Sequence, residues 1–364
     1  KYFNTDRMKS MTGEKWWTGA FRDSTSGWGT EQDTNWFNNN LLDVSNKFNR
    51  PRGVYMNTQV DVLNFMFSFK KKYAIGFSFK ARSVLNVDQV DPDLMTLSVN
   101  GLDYNDLHNV KLKDQFINHG QMTWAEYGVN YAQVVMDKKE HFLKVGARLK
   151  LLQGFAASYL HTDNVDYKLS DKDTAVLLKG DFDYGYNVGL EQFSFGKEQP
   201  TTANFNFGDY YKNTPWGGGL DIGIVYEWRP DWKDHTYEMD GEKDRWRMDQ
   251  DKYKLKAGIS FVDIGGIKFN KANTARNFSI NYDEEGLEGA ANTYYDLNGF
   301  SGVQSLADFN NVLDTSEFVE VKSDDDGQFI MQLPTAMSLQ LDYNIWKWFY
   351  LNLQGTINLH GKNV

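Results

Sequence analysis

Ala125-Glu126-Tyr127-Gly128-Val129-Asn130-Tyr131-Ala132-Gln133-Val134-Val135-Met136, the polar run Asp137-Lys138-Lys139-Glu140-His141, and the return Phe142-Leu143-Lys144-Val145-Gly146-Ala147-Arg148-Leu149-Lys150-Leu151-Leu152 decide the fold. On the first segment Ala125, Tyr127, Val129 and Tyr131 share one parity, and Glu126, Gly128, Asn130 and Ala132 share the other. On the return Leu143, Val145, Ala147, Leu149 and Leu151 alternate with Lys144, Gly146, Arg148 and Lys150. A side-chain period of two means strand. Half-buried soluble strands alternate too. Here the second face is charged, polar or small, behind a continuous aliphatic and aromatic stripe. That suits a barrel wall with lipid outside and water inside.

Working outward, 62–87 repeats the pattern. Phe65, Phe67 and Phe69 form a stripe, Lys70-Lys71-Lys72 a turn, and Ile75, Phe77, Phe79 and Ala81 return against Gly76, Ser78, Lys80 and Arg82. Strands are expected again at 176–188 and 219–228, where Leu220, Ile222 and Ile224 oppose Asp221, Gly223 and Glu227. Further strands are expected at 253–261, with Lys254 and Lys256 inward, and around Leu339–Leu353. The glycines of Val262-Asp263-Ile264-Gly265-Gly266-Ile267 suit a bend or bulge. Asp91-Pro92-Asp93 suits a helix start. Residues 155–173 read as a loop or loosely paired extension, and 1–50 as an irregular N-terminal arm or plug. The barrel is expected over 51–364.

The connections at Lys70–Lys72, Asp137–Glu140 and Asn344–Lys347 are tight; those at 88–121, 156–173, 229–251 and 270–328 are long. Short periplasmic turns and long extracellular loops are the habit of outer-membrane barrels. The long segment 191–215 falls on the tight-turn side in this scheme and breaks it. The fold expected is all-β: a transmembrane antiparallel β-barrel of roughly 14 strands with long extracellular loops.

Composition agrees. Lys+Arg is 39 and Asp+Glu is 49, a net charge of −10. Nucleic-acid binding, which needs a basic patch, is not indicated. Mean hydropathy is −0.60, low enough for a soluble protein and equally compatible with a barrel whose lumen and loops are polar. No run approaches the ~20 apolar residues of a membrane helix, so a membrane crossing would have to use strands. Aromatics are 15% of the chain, with 25 Phe, 20 Tyr and 11 Trp. Such an excess suits interfacial girdles; aromatic platforms of a soluble sugar-binding sandwich are the competing explanation. With 0 Cys, disulfide frameworks and thiolate metal sites are excluded.

Four segments carry a resemblance: Trp124–Ala132, Phe142–Ala147, Gly219–Glu227 and Lys254–Gly265. They resemble a family of Bacteroidota outer-membrane β-barrels of unknown function, over roughly 120–360. Its members look distantly akin to FadL-type transporters and to secretion-associated barrels. Some carry a C-terminal OmpA-like peptidoglycan-binding domain. The resemblance implies a bacterial outer-membrane location, contact with outer-membrane lipid and lipopolysaccharide, and other outer-membrane proteins or peptidoglycan as partners. The tail after Asn358 lacks the terminal aromatic common in such barrels, so a periplasmic domain is expected beyond Val364.

No His-Glu-x-x-His, nucleophile elbow, phosphate loop or dinucleotide fingerprint occurs, and no catalytic residue is assigned. The six histidines are scattered. Asp324-Asp325-Asp326-Gly327 and 231–251 are acidic enough to raise Ca²⁺ binding, but EF-hand spacing is not met; solvated loop charge is the preferred reading and no cofactor is assigned. Asp173-Thr174-Ala175 matches a short O-glycosylation sequence reported in that phylum, three residues that chance also produces. The lumen-facing candidates are Lys80, Arg82, Glu126, Lys144, Arg148, Lys150, Asp181, Asp183, Asp221, Glu227, Lys254 and Lys256; the lipid-facing ones are Phe65, Phe67, Phe69, Tyr127, Val129, Tyr131, Leu220, Ile222 and Ile224. The inward cations would line an anion path or, as preferred, pair with the inward acids to fill the lumen. The expected function is a non-enzymatic accessory or scaffold subunit of an outer-membrane complex. A FadL-like transporter or porin for hydrophobic or anionic solutes is the alternative.

Overall fold

The computed structural model describes residues 52–70, 72–94, 105–169, 175–193, 211, 214–247, 251–281, 303–316, 319–322, 327–346 and 348–359. The N-terminal arm, Thr174, Asp324–Asp326 and the tail after Leu359 lie outside them.

The strands are β1 (Arg52–Phe69), β2 (Tyr73–Val90), β3 (Lys111–Gln115), β4 (Asn118–Lys138), β5 (His141–Leu169), β6 (Ala175–Tyr186), β7 (Trp216–Trp228), β8 (Thr236–Met239), β9 (Glu242–Trp246), β10 (Leu255–Asn270) and β11 (Arg276–Asn281). A helix, α1 (Leu306–Asp314), precedes β12 (Val319–Lys322), β13 (Gln328–Gln332), β14 (Ala336–Trp346) and β15 (Phe349–Asn358). The main sheet runs β1-β2-β4-β5-β7-β10-β14-β15, and every step along it is antiparallel. It curls into a half-barrel. The sheet has 13 strands among the described residues, eight of which follow one another along this wall.

The spine is β5, 29 residues long. Residues 156–169 continue the strand, where a loop was expected. A register shift, with Thr123 opposite Ala156 and Trp124 opposite Gly154, breaks the alternation there and hides the period. One edge of β5 pairs with β4 over most of its length. The other edge is shared: β7 takes 141–153 and β6 takes 158–169. At the handover Asn187 caps the strand. Its backbone N donates to the Ala157 carbonyl, its side-chain oxygen accepts from Ala157 N at 2.8 Å, and its side-chain N donates to the Phe155 carbonyl at 3.2 Å. Backbone groups that would be orphaned between two strands are thereby satisfied.

Beyond the wall β3, upper β5, β6, β11 and β12 form a lobe, with α1 packing Leu313 against Phe278 and Ile280. Ser305 caps α1, accepting from Asp308 N and donating to the Asp308 carboxylate. Above the wall's inner polar positions sits an apolar plug of Val84, Met122, Trp124, Leu152, Ile267, Phe269 and Leu333. The inner face is therefore bulky and apolar at this level, unlike the stretch facing Gly128–Ala132.

The connection after Trp228 lies at the end opposite to that expected. The tight turns after Phe69, Lys138 and Trp346 share one end of the wall, and so does the long connection after Trp228, because Trp228 pairs with His141 at the start of β5. This connection holds a short 3-10 helix, Trp232–His235, and the β8–β9 hairpin. Residues 191–215 run between β6 and β7, whose facing ends meet β5 at Ser158 and Gln153, away from the tight turns.

Gly154 faces the plug, and a Cβ there would lie 2.4 Å from the Phe269 ring. Gly154→Ala is expected to destabilise the chain by about 1–3 kcal/mol, read from urea unfolding followed by tryptophan fluorescence.

Candidate functional site

Two surfaces of the wall carry the chemistry. The outer surface follows from register. Phe77, Val129, Leu149, Leu220 and Ile264 lie in one cross-strand row; Ile75, Tyr131, Ala147, Ile222, Phe261 and Met337 form the next. Two rows nearer the tight turns, Leu143, Tyr226, Ala257, Leu341 and Leu353 are in line. None of these positions carries charge, so each strand's apolar stripe meets only apolar stripes. Aromatic pairs border the band. Phe79 stacks on Tyr127, which also meets Trp216, at the upper border. Phe69 with Tyr73, and Trp346 with Trp348, mark the tight-turn border.

The expected outward residues Phe65, Phe67, Phe69, Val129, Tyr131, Ile222 and Ile224 are exposed, as are Leu149 and Leu151. Tyr127 and Leu220 are half-buried, Tyr127 under its aromatic neighbours and with its hydroxyl donating to Gln153 at 3.2 Å. Eight strands at ~4.8 Å spacing, each carrying a stripe of roughly eight residues at ~3.3 Å rise, give an apolar surface on the order of 1,000 Å². A soluble monomer rarely exposes more than a few hundred Å² in one patch.

The inner surface gathers charges from five strands. Arg82 on β2 clasps Asp263 on β10 with two hydrogen bonds, 2.8 and 3.0 Å, and reaches Glu126 on β4 at 3.4 Å. Arg148 on β5 meets the other Glu126 oxygen at 2.6 Å and donates to Ser78 at 2.8 Å. Lys150 lies 2.6 Å from Asp263 and 2.5 Å from Asp221 on β7. Three cations thus meet three carboxylates. Glu126 is only 1% exposed, and Arg82, Lys150 and Asp263 are buried. Removing such charges from water is costly, and close paired geometry offsets the cost. The Arg82 guanidinium also lies over Trp124, 4.9 Å from the ring centre. Gly128 makes room: a Cβ there would meet Arg148 Nε at 2.5 Å.

Arg82, Glu126, Arg148, Lys150 and Asp221 are expected lumen residues that the fold brings together. Asp263 is the member sequence reasoning missed. By simple alternation from Lys256, Gly258 and Ser260, Asp263 would face outward. One extra residue in β10 between Phe261 and Ile264, against Ile222 and Leu220 of β7, changes this. Asp263 takes the left-handed conformation (φ 58°) and turns inward, its N–H donating to Asp221 and its carbonyl accepting from Thr335. Past the bulge the faces switch, which exposes Ile264 and buries Ile267 and Phe269. The glycine-rich run was the available signal.

The remaining candidates stand apart. Lys80 pairs with Asp61 at 3.2 Å. Lys144 is exposed over the Phe142 ring, and Glu227 holds Arg229 at 2.5 Å. Lys254 and Lys256 lie near the Tyr343 and Tyr253 rings. Because β6 is off the wall path, Asp181 and Asp183 belong to the lobe. Hydrogen bonds from Ser279 and Lys322 hold the Asp181 carboxyl below the usual carboxylate range, and Asp183 accepts from the Tyr159 hydroxyl at 3.0 Å. At the tight-turn end Arg229 is buried between Phe142 and Trp246, and Lys139 binds Asp244 at 2.7 Å, fastening the β8–β9 hairpin to the β4–β5 turn. Among the described residues no group of three or more His, Cys, Asp or Glu is placed to hold a metal ion.

Residues 20–364 match the model of a family of unknown function, DUF5723, and the chain belongs to that family. No curated protein and no solved structure matches it.

Asp263→Asn keeps the side chain's shape but leaves Arg82 and Lys150 facing a neutral group. It is expected to cost about 3–5 kcal/mol, whereas Lys144→Ala on the exposed inner rim should stay within about 0.5 kcal/mol. Equilibrium unfolding of the two variants beside the parent protein checks the contrast.

Proposed function

We propose that this chain forms the wall of a bacterial outer-membrane β-barrel and works without chemistry of its own, as an accessory or scaffold subunit for other outer-membrane proteins. The observation that carries the reading is the uncharged outer band, bordered by aromatics and continuous across the wall. An area on the order of 1,000 Å² is too large to leave in water. In this reading the tight turns lie in the periplasm and the lobe of β3, β6, β11, β12 and α1 faces outward.

The interior supports a scaffold over a porin or FadL-like transporter. A conducting path needs open space, but the six central inner charges are consumed in pairs and the plug of Trp124, Leu152 and Phe269 lies above them. The hairpin fastened by Arg229 at the tight-turn end gives the scaffold a rigid element in the periplasm.

Purified chain is expected to be monodisperse only with detergent or lipid, and silent in planar-bilayer recordings. Monodispersity in plain buffer contradicts the membrane reading; sustained ion-selective steps contradict the scaffold reading. Ile224→Arg, in the middle of the band, should weaken folding into lipid vesicles by about 2–4 kcal/mol.

A further inference from the structure

Among the described residues the wall path ends on β1 and β15, and we infer that these two strands pair with each other, closing an eight-stranded barrel whose seam is β1 against β15. The inference rests on the membrane-wall reading and adds a strand count, a partner for each end strand and a register.

Four observations point to it. The first is curvature. Arg82 and Asp263 sit on β2 and β10, four steps apart in the path, yet hold each other at 2.8 and 3.0 Å. With strands ~4.8 Å apart and tilted ~40°, eight strands close at a diameter of about 16 Å and fourteen at about 28 Å. In an eight-strand circle β2 and β10 face each other across the diameter, where a long Arg and a short Asp can meet; across the larger circle they cannot.

The second is direction. β1 runs toward the tight-turn end and β15 away from it, so the two are antiparallel, as the first and last strands of an even-numbered antiparallel wall must be.

The third is face matching. Inner positions of β1 include Asn57, Gln59, Asp61 and Asn64, set against Val84, Arg82, Lys80 and Ser78 of β2, with Tyr55 and Met66 on the same face. Inner positions of β15 include Asn352, Gln354 and Thr356, set against Asp342, Gln340 and Ser338 of β14. Outer positions are Leu63, Phe65 and Phe67 on β1, and Leu351, Leu353 and Ile357 on β15. Joining the edges continues the apolar band outside and a mainly polar ladder inside, interrupted by Tyr55, Met66 and Tyr350.

The fourth is stagger. Following cross-strand partners from Phe69 through Tyr73, Gln133, Val145, Ile224, Ile259 and Leu339 leads to Gly355. A tilt of about 35–40° over eight strands requires an offset of about eight to ten residues on closing the circle. Taken toward the tight turns, where both end strands have their aromatic border, that offset sets Phe349 opposite Phe67 or Phe65. Asn64 then faces Asn352 or Tyr350. An eight-strand interior is just wide enough to be filled by side chains, so the seam also makes the barrel a solid post rather than a pore.

The chain has 0 Cys, so engineered cysteines report without background. The full chain is refolded in detergent carrying Asn64→Cys with Asn352→Cys, Asn64→Cys with Tyr350→Cys, or the wrong-face control Asn64→Cys with Leu351→Cys, and is oxidised with copper phenanthroline. One of the first two pairs should form an intramolecular disulfide in most molecules, seen as faster migration lost on reduction, with several-fold less in the control. No intramolecular bond in either inner pair, or a cross-linked dimer, overturns the seam and assigns the edges to another segment or a second copy. Hydrogen exchange of the unmutated protein is the second readout. Amides of β1 directed away from β2 should exchange as slowly as those of β4; exchange at the rate of an open edge overturns the proposal even if the variants misfold. Detergent dependence, scored on the same preparations, separates failure of the seam from failure of the membrane reading.

Discussion

The grip of Arg82 on Asp263 sets the shape of the wall. It joins residues 181 positions apart in sequence, on strands with three others between them. A flat or gently twisted sheet would hold these side chains far apart, so the contact exists only if the sheet curls. Once it curls, Glu126, Arg148, Lys150 and Asp221 are driven into the same space, and each must find an opposite charge or pay heavily for desolvation. The balance of three cations and three carboxylates follows from that constraint, and so does the glycine at 128, the small residue that lets Arg148 lie across β4.

The same constraint separates the wall's two levels. Below the plug the interior is ionic; above it, Trp124, Met122, Leu152 and Phe269 exclude water. The bulge at Asp263 is where β10 changes from one regime to the other. Its extra residue delivers a carboxylate to the ionic level and turns Ile267 and Phe269 into the plug. A non-glycine residue in the left-handed region costs on the order of 1 kcal/mol, and the contacts Asp263 makes with Arg82, Lys150, Asp221 and Thr335 over-determine that conformation.

Much of this was legible in sequence, for a physical reason. Where a strand carries exposed apolar side chains on one side and charged or small ones on the other, the alternation is nearly pure, as in 125–152 and 219–228, and both the strands and their facing can be read. Legibility failed where the backbone leaves strict period two. The shift at Gly154 disguised the upper half of β5 as a loop, and the bulge at Val262–Asp263 hid the residue at the centre of the charge cluster. Facing arguments also placed Asp181 and Asp183 with the wall, because alternation says which way a residue points along its own strand but not which strand lies beside it. That information is in the register, and it puts β6 above β7 on the same flank of β5. The same gap explains why the connection after Trp228 was assigned to the wrong end: long loops and short turns were sorted by length, while the pairing of Trp228 with His141 fixes the position.

Whether the outer face of the wall alone meets lipid can be measured directly. Single cysteines placed at Val129, Ile224 and Leu149 on one face, and at Ala132, Gly146 and Gly223 on the other, carry nitroxide labels into phospholipid vesicles, where collision with dissolved oxygen and with a water-soluble nickel chelate is measured by electron paramagnetic resonance. The account predicts that the first three labels collide with oxygen and are shielded from nickel, while the second three show little collision with oxygen. Equal collision with oxygen on both faces would contradict it.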